Sequence, residues 1–249
     1  MDTAEHIAIV RREGERLASA AERTSLDAPV PTCPNWTLRD LVRHISGIHS
    51  WAATIVGQSR GRPYDPFTEL EALWPSDAAL VDWFRAGHQT LVHALESAPP
   101  DLSCFTFLPA PSPLAFWARR QAHETGIHRA DAEASSGVTA DYPPEQAVDG
   151  IDELLFGFLS RPGQRLKADQ PCTLSLQAPD SDAAWLVRIG PDEPRISREA
   201  FSRADCRVSA TAADLFLLVW NRRAPAGLDV QGDARVLDLW RKSITVRWS

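Results

Sequence analysis

Hydrophobic residues recur at helical spacing through the first two thirds of the chain, in segments separated by proline-rich breaks. Four of these segments are long enough to favour a four-helix bundle, and a shorter helix follows them. The predicted helices cover residues 3–22, a segment that begins near Thr37, residues 76–97, a segment that starts after Pro113 and ends before Gly137, and residues 144–160.

The start of the second helix is marked by the sequence "TLRD". It has the form of a capping box, in which Asp40 reaches back to the free backbone amides of the first turn. The apolar stripe that follows is expected to face the core of the bundle. It consists of Leu38, Leu41, Val42, Ile45 and Ile48.

From about residue 165 the pattern changes to alternation with a period of two, as in half-buried strands. The strand candidates are "CTLSLQA", "AWLVRIG", "CRVSA" and "SITVRW", and helical stretches lie between the last two of them, in "TAADLFLLVWNRR" and "ARVLDLWRK". The sequence therefore predicts two domains: a helical bundle over residues 1–162 and a small α+β domain over residues 163–249.

The 249 residues are 44% hydrophobic, which is enough for a substantial core, and carry a formal charge of −7. This charge argues against general binding to nucleic acid or anionic lipid and favours small molecules as partners. No apolar run reaches the roughly 18 residues of a membrane span, and the charged, amphipathic start predicts a cytoplasmic protein. The four cysteines have no C-x-x-C spacing and predict free thiols.

The stretch "HETGIH" nearly matches the His-Glu-x-x-His motif of zinc proteases, but its second histidine comes one residue late. On a helix, His123 and His128 point about 140° apart and cannot share one metal ion. Glu124 and His128 are four residues apart and can converge. Arg120 and Asp131 extend the same polar strip, so either a metal site or an exposed helix held by charge pairs fits this pattern.

A catalytic zinc site usually has three protein ligands and one open position. The second helix offers a third ligand in "DLVRHISGIHSW", where His44 and His49 lie at opposite edges of the apolar stripe. Helical geometry leaves both candidates open. Asp40, one turn before His44, could orient that ring as a carboxylate behind the ligand.

Two long segments, "VPTCPNWTLRDLVRHISGIHSWA" and "FWARRQAHETGIHRADAE", resemble the mycothiol-dependent maleylpyruvate isomerase family of actinobacteria. The resemblance implies a DinB-like metal-binding four-helix bundle followed by a sterol-carrier-like α+β domain. It also implies His44, Glu124 and His128 as the ligands of Zn²⁺ or another divalent metal, and so favours His44 over His49.

The family uses mycothiol, a low-molecular-weight thiol, and a zinc ion that lowers the pKa of a bound thiol. The resemblance thus implies cis/trans isomerisation of an unsaturated acid by reversible thiol addition. Two alternatives stay open: a mycothiol S-transferase acting on other electrophiles, and a metal-binding or small-ligand-binding protein without catalysis.

An acidic substrate needs cations, and the candidates are Arg120, Arg222 and Arg223. The last two also suit a helix C-terminus, where the macrodipole favours positive charge. Cys33 lies between prolines with no histidine near it in sequence and is expected to be buried packing rather than a nucleophile.

Overall fold

A computed structural model describes residues 1–63, 70–71, 73–163 and 165–244. The chain divides into two compact units, Met1–Ala140 and Asp141–Ser249. The first unit contains four long helices, as the sequence predicts. They are α1 (Thr3–Glu22), α2 (Leu38–Gly57), α3 (Asp77–Ser97) and α4 (Pro113–Ala134).

Side-chain caps fix where these helices begin. The predicted capping box of α2 is confirmed: Thr37 accepts from the amide of Asp40, and the Asp40 carboxylate accepts from the amide of Thr37. An equivalent box at α1 joins Asp2 and Glu5. At α4 the hydroxyl of Ser112 accepts from the backbone amide three residues on, and Pro113 stands at the first helical position, where no amide hydrogen is needed.

The bundle core forms where the helices meet, with α1 packed mainly on α4, and α2 mainly on α3. The predicted α2 stripe is buried over its whole length and packs against Leu17 of α1 and Phe84 of α3. Removing these apolar surfaces from water is the main driving force for the bundle.

Helix α4 is buried at almost every position from Phe116 to Glu133, including its polar residues. The alternative of a solvent-exposed helix is therefore wrong. Buried charges need partners of opposite charge. The buried guanidinium of Arg129 donates to Glu13 of α1 at 2.7 Å and to Glu133 at 2.7 Å. This arrangement ties α4 to α1.

The second unit combines helices with a mixed five-stranded sheet in the order β3-β2-β1-β4-β5. Strands β1 and β4 pair in parallel and the other pairs are antiparallel. The strands are β1 (Cys172–Ala178), β2 (Ala183–Ile189), β3 (Arg195–Ser197), β4 (Cys206–Ser209) and β5 (Asp229–Gly232). Of the four predicted strands, "CTLSLQA", "AWLVRIG" and "CRVSA" are confirmed, and "SITVRW" lies almost wholly outside the described residues.

The helices of the second unit are α5 (Pro144–Asp152), which continues as a π-helical turn over Glu153–Phe158, α6 (Ala212–Val219) and α7 (Arg235–Ser243). Helix α5 packs against α6, while α6 and α7 both contact β1. Because α5 belongs to this unit by its contacts, the division of the chain comes about twenty residues before the predicted domain boundary at 162/163. Among the described residues, no helix is both long and apolar enough to cross a membrane.

Candidate metal centre

Three side chains from two helices converge inside the first unit. Oε1 of Glu124 lies 3.2 Å from Nε2 of His128 and 4.0 Å from Nε2 of His44. One nitrogen or oxygen from each of the three residues lies within 4.8 Å of the others. The rings of His44 and His128 meet edge to face, with their centroids 5.0 Å apart.

The local fold explains this convergence. Glu124 and His128 are one helical turn apart on α4, so they share a face. His44 comes from α2 at the edge of its buried stripe, and its side chain is 10% exposed. The ring of Trp36 contacts the ring of His44 at a centroid distance of 4.9 Å, tilted by 56°.

The charge on Glu124 is balanced within the protein. Burial raises the pKa of this carboxyl, but Arg120 and the neighbouring histidines outweigh burial and lower it to about 2. Arg120 donates to Oε2 of Glu124 at 2.8 Å, on the oxygen that does not face the histidines. The guanidinium is only 2% exposed and so acts on the carboxylate from inside the protein.

His128 is held from its far side by Asp131, whose Oδ2 lies 2.9 Å from Nδ1 of the ring. Burial lowers the pKa of His128, but hydrogen bonds with Asp131 and Glu124 outweigh this effect, so the pKa is raised. Because an ionised carboxylate can only accept, Nδ1 is the donor in this contact. The Nε2 atom then faces Oε1 of Glu124.

Sequence reasoning missed the loop that precedes α2. Thr32 donates to Oδ1 of Asp131 at 2.6 Å, and the thiol of Cys33 lies 3.5 Å from Oδ2. Cys33 is half-buried and was expected to be packing alone. The sequence offered no signal for these contacts, since about a hundred residues separate the loop from Asp131.

The remaining predicted site residues occupy other surroundings. The carboxylate of Asp40 serves the cap of α2, and its role behind His44 stays a prediction. In the second unit, Arg222 donates to the carbonyl of Trp220 at 2.9 Å, and Arg223 pairs with Asp214. Both arginines lie beyond the end of α6, whose last turn contains no basic residue, and their role towards a substrate stays a prediction.

The other two histidines considered as ligands, His49 and His123, contact different groups. His49 is fully buried, contacts the hydroxyl of Thr125 at 2.9 Å and packs on the rings of Phe84 and His88. His123 meets the ring of His6 at 6.0 Å. Among the described residues of the first unit, the one cluster with three ligand atoms is therefore that of His44, Glu124 and His128.

The donor set and its spacing fit a metal ion. Ligand atoms about 2.1 Å from a tetrahedral zinc ion lie about 3.4 Å from one another, close to the 3.2 and 4.0 Å found here. Two imidazoles and a carboxylate also match the ligand types of catalytic zinc sites. When a neutral ring carries its proton on Nδ1, Nε2 of His128 and Oε1 of Glu124 are both acceptors, and a cation between them relieves the repulsion of their lone pairs.

Fold and site together define a helical bundle with a buried, metal-compatible His/Glu/His cluster, joined to a small α+β unit. The family comparisons agree with this class: residues 7–133 match the mycothiol maleylpyruvate isomerase N-terminal domain, and residues 145–239 match the C-terminal domain of the same family. The chain belongs to the mycothiol-dependent maleylpyruvate isomerase family.

Solved structures show the same fold. A crystal structure of a mycothiol-dependent maleylpyruvate isomerase superposes with a TM-score of 0.63 at 14% identity, covering 93% of both chains. A histidine-to-alanine mutant of that enzyme gives 0.61 with the same coverage. By sequence, uncharacterized proteins of Mycobacterium tuberculosis strains CDC 1551 / Oshkosh and ATCC 25618 / H37Rv are 28% identical over 174 residues, 66% of this chain and 85% of theirs.

Proposed function

We propose that His44, Glu124 and His128 hold one divalent metal ion, with zinc the expected metal, and that the protein uses it with mycothiol on an electrophilic substrate. The convergence of one carboxylate oxygen and two imidazole nitrogens within 4.8 Å carries this proposal. Membership of the family supports mycothiol as the thiol that the protein uses. The four-coordinate preference of zinc leaves one position for a ligand that is not part of the protein.

The protein's own residues prepare the site. Asp131 accepts from Nδ1 of His128 and so directs Nε2 towards the metal position. Arg120 holds Oε2 of Glu124, which leaves Oε1 directed at the two histidines. When bound, a zinc ion with these ligands would lower the pKa of a thiol at its open position, so that a thiolate is present near neutral pH.

The reaction that fits best is the isomerisation of an unsaturated keto acid. Addition of the thiol sulfur to the activated double bond turns it into a single bond that can rotate. Elimination then restores the double bond in the trans form and releases the thiol unchanged. Arg120, Arg222 and Arg223 stay the predicted cations for a substrate carboxylate, although Arg120 already pairs with Glu124.

Metal content tests the site. His44→Gln, Glu124→Gln and His128→Gln should each purify with much less than one zinc per chain, whereas wild type binds about one. His49→Gln is a matched control because it makes the same substitution on α2 and its amide nitrogen can still reach Thr125. If His49→Gln loses zinc and His44→Gln keeps it, the ligand assignment is wrong.

A second experiment tests the chemistry. The zinc-loaded protein is incubated with mycothiol and maleylpyruvate, then with other α,β-unsaturated acids and electrophiles, and the products are identified by mass spectrometry and NMR. A trans isomer with unchanged thiol supports the isomerase. A stable thioether would instead identify the protein as a mycothiol S-transferase. The absence of any product with every electrophile would overturn the proposal that the protein is an enzyme. Glu124→Gln should be inactive in each case.

A further inference from the structure

The carboxylate of Asp131 is fully buried behind His128, and its two oxygens receive different donors. Oδ2 accepts from Nδ1 of His128 at 2.9 Å, with the Cys33 thiol 3.5 Å away. Oδ1 accepts from the hydroxyl of Thr32 at 2.6 Å. The Thr32 contact is the shortest of the three and lies within the range of strong hydrogen bonds to an ionised oxygen.

Thr32 is held by the backbone of its own loop rather than by a flexible stem. The amide of Val30 donates to the carbonyl of Trp36 at 2.9 Å, and Cys33 and Trp36 donate back along the loop at 3.0 Å each. Asn35 adopts a left-handed conformation with φ of 72°, which completes the reversal. The loop therefore places the Thr32 hydroxyl at a fixed point on the Asp131 carboxylate.

A carboxylate can rotate about its bond to the β-carbon when only one of its oxygens is held. Rotation of Asp131 would misalign Oδ2 with Nδ1 of His128, and the neutral ring could then carry its proton on Nε2 instead. In that tautomer the nitrogen that faces Glu124 has no lone pair for a metal. A donor on Oδ1 removes this freedom, because both oxygens are then fixed.

We propose that Thr32 is a positioning residue of the metal centre: acting through Asp131, it selects the His128 tautomer that presents Nε2 to Glu124 and the metal. In the metal-free protein the carboxylates of Asp131 and Glu124 face opposite nitrogens of the ring, so Thr32 shifts the balance between the two tautomers towards the Nδ1-protonated form. The link from Thr32 to the metal rests on the proposed function. This role requires the hydroxyl group of Thr32 but not its methyl group.

The first test uses metal-free protein and needs no zinc binding. Histidines are labelled with ¹⁵N, and the His128 ring is assigned by comparison with His128→Gln at alkaline pH, where neutral rings show their tautomers. Wild type and Thr32→Ser should show the same proportion of the Nδ1-protonated form. Thr32→Val, which keeps the shape and loses the donor, should show a clear rise in the Nε2-protonated form, and Asp131→Asn should show a larger one.

The second test measures zinc affinity by competition with a chelator. Thr32→Val should weaken binding about tenfold and Asp131→Asn by about 10- to 100-fold, as loss of a group behind a ligand usually does. Thr32→Ser should restore wild-type affinity. In the Asp131→Asn background, Thr32→Val should weaken zinc binding by a smaller factor than it does in wild type, because Thr32 acts through the Asp131 carboxylate that this background lacks. Thr90→Val is the matched control, since its exposed hydroxyl donates to the carbonyl of Ala86 within α3.

The outcomes separate the two proposals. If Thr32→Val keeps both the wild-type His128 tautomer and the wild-type zinc affinity, the role of Thr32 is wrong even though the metal site stands. If wild type binds no zinc, the metal site fails, and the NMR comparison alone then decides whether Thr32 selects the tautomer. Equal loss of affinity in Thr32→Ser and Thr32→Val would show that side-chain packing matters and would overturn the role of the hydroxyl.

Discussion

Nη2 of Arg120 lies 2.8 Å from Oε2 of Glu124, and both side chains are almost fully buried on α4. In the metal-free protein the positive charge of Arg120 balances the negative charge of Glu124. We therefore expect Arg120→Met to lower the free energy of unfolding of the metal-free protein by about 3–5 kcal/mol, since it leaves a buried carboxylate without its cation. Urea unfolding in the presence of a chelator measures this change.

Arg11→Met provides the comparison for that measurement. Arg11 pairs with Glu96 at the surface, where both side chains are about half exposed, so its loss should cost less than about 1 kcal/mol. Equal effects of the two substitutions would mean that Glu124 is neutral or is balanced by another group.

Metal binding should stabilise the first unit against heat. Because the three proposed ligands are assembled only in the folded chain, free zinc at a thousand times its Kd adds about 4 kcal/mol and raises Tm by about 10 °C. Scanning calorimetry with and without a chelator measures the shift. Glu124→Gln should show no zinc-dependent shift, and a shift equal to that of wild type would place the bound zinc elsewhere.

Gly14 of α1 makes room for the ring of His88 from α3. A Cβ atom at this position would lie 2.2 Å from Cε1 of His88, and the ring is enclosed by Phe84 and His49. Gly14→Ala should therefore destabilise the bundle by about 1–3 kcal/mol despite the better helix propensity of alanine. Gly57→Ala, with nothing within 4 Å of the added carbon, should be neutral or stabilising by up to about 1 kcal/mol. Chemical denaturation of both variants checks the contrast.

The buried histidines predict a loss of stability in acid. Burial lowers the pKa of His88, and burial together with the charge of His88 lowers the pKa of His49. Below about pH 6.5 the unfolded chain binds protons that these two buried histidines exclude in the folded protein. Their contribution to stability is therefore full above this pH and falls as the pH decreases, by up to about 1.4 kcal/mol per pH unit for each histidine.

His88→Leu should remove its share of that slope. Thr90→Leu should leave the slope unchanged, because Thr90 is exposed on the same helix and has no ionisable group. Unfolding free energies measured between pH 5 and 8 in the presence of a chelator test this difference. If His88→Leu retains the full wild-type slope, the acid sensitivity arises from other groups.

The helical half of the fold could be predicted from the sequence because its signals are local. Caps such as Thr37 with Asp40, and a stripe such as Leu41 to Ile48, specify a helix and its buried face without reference to the rest of the chain. The pairing of Glu124 with His128 follows from the same geometry. In the second unit β3 and β5 were missed. Their sequences "RIS" and "DVQG" are too short to show a clear apolar alternation, and they form strands by pairing with β2 and β4.

The choice of His44 over His49 could not be made from helical geometry. Both lie at edges of one stripe, and what separates them is the neighbour that each ring meets: Glu124 for His44 and Thr125 for His49. Which neighbour each ring meets depends on how α2 is rotated against α4. The spacing of residues within one helix gives no information on that rotation. The family resemblance supplied this information. It gave none on Thr32, whose role depends on the path of a loop.

The loop from Val30 to Trp36 has a consequence for how this chain can vary. Surface loops usually accept insertions and deletions. Here one short loop aligns Thr32 with Asp131 and Trp36 with His44, so the gain or loss of a single residue would displace contacts on both helices of the centre at once. Its length should therefore tolerate change as poorly as the spacing between Glu124 and His128.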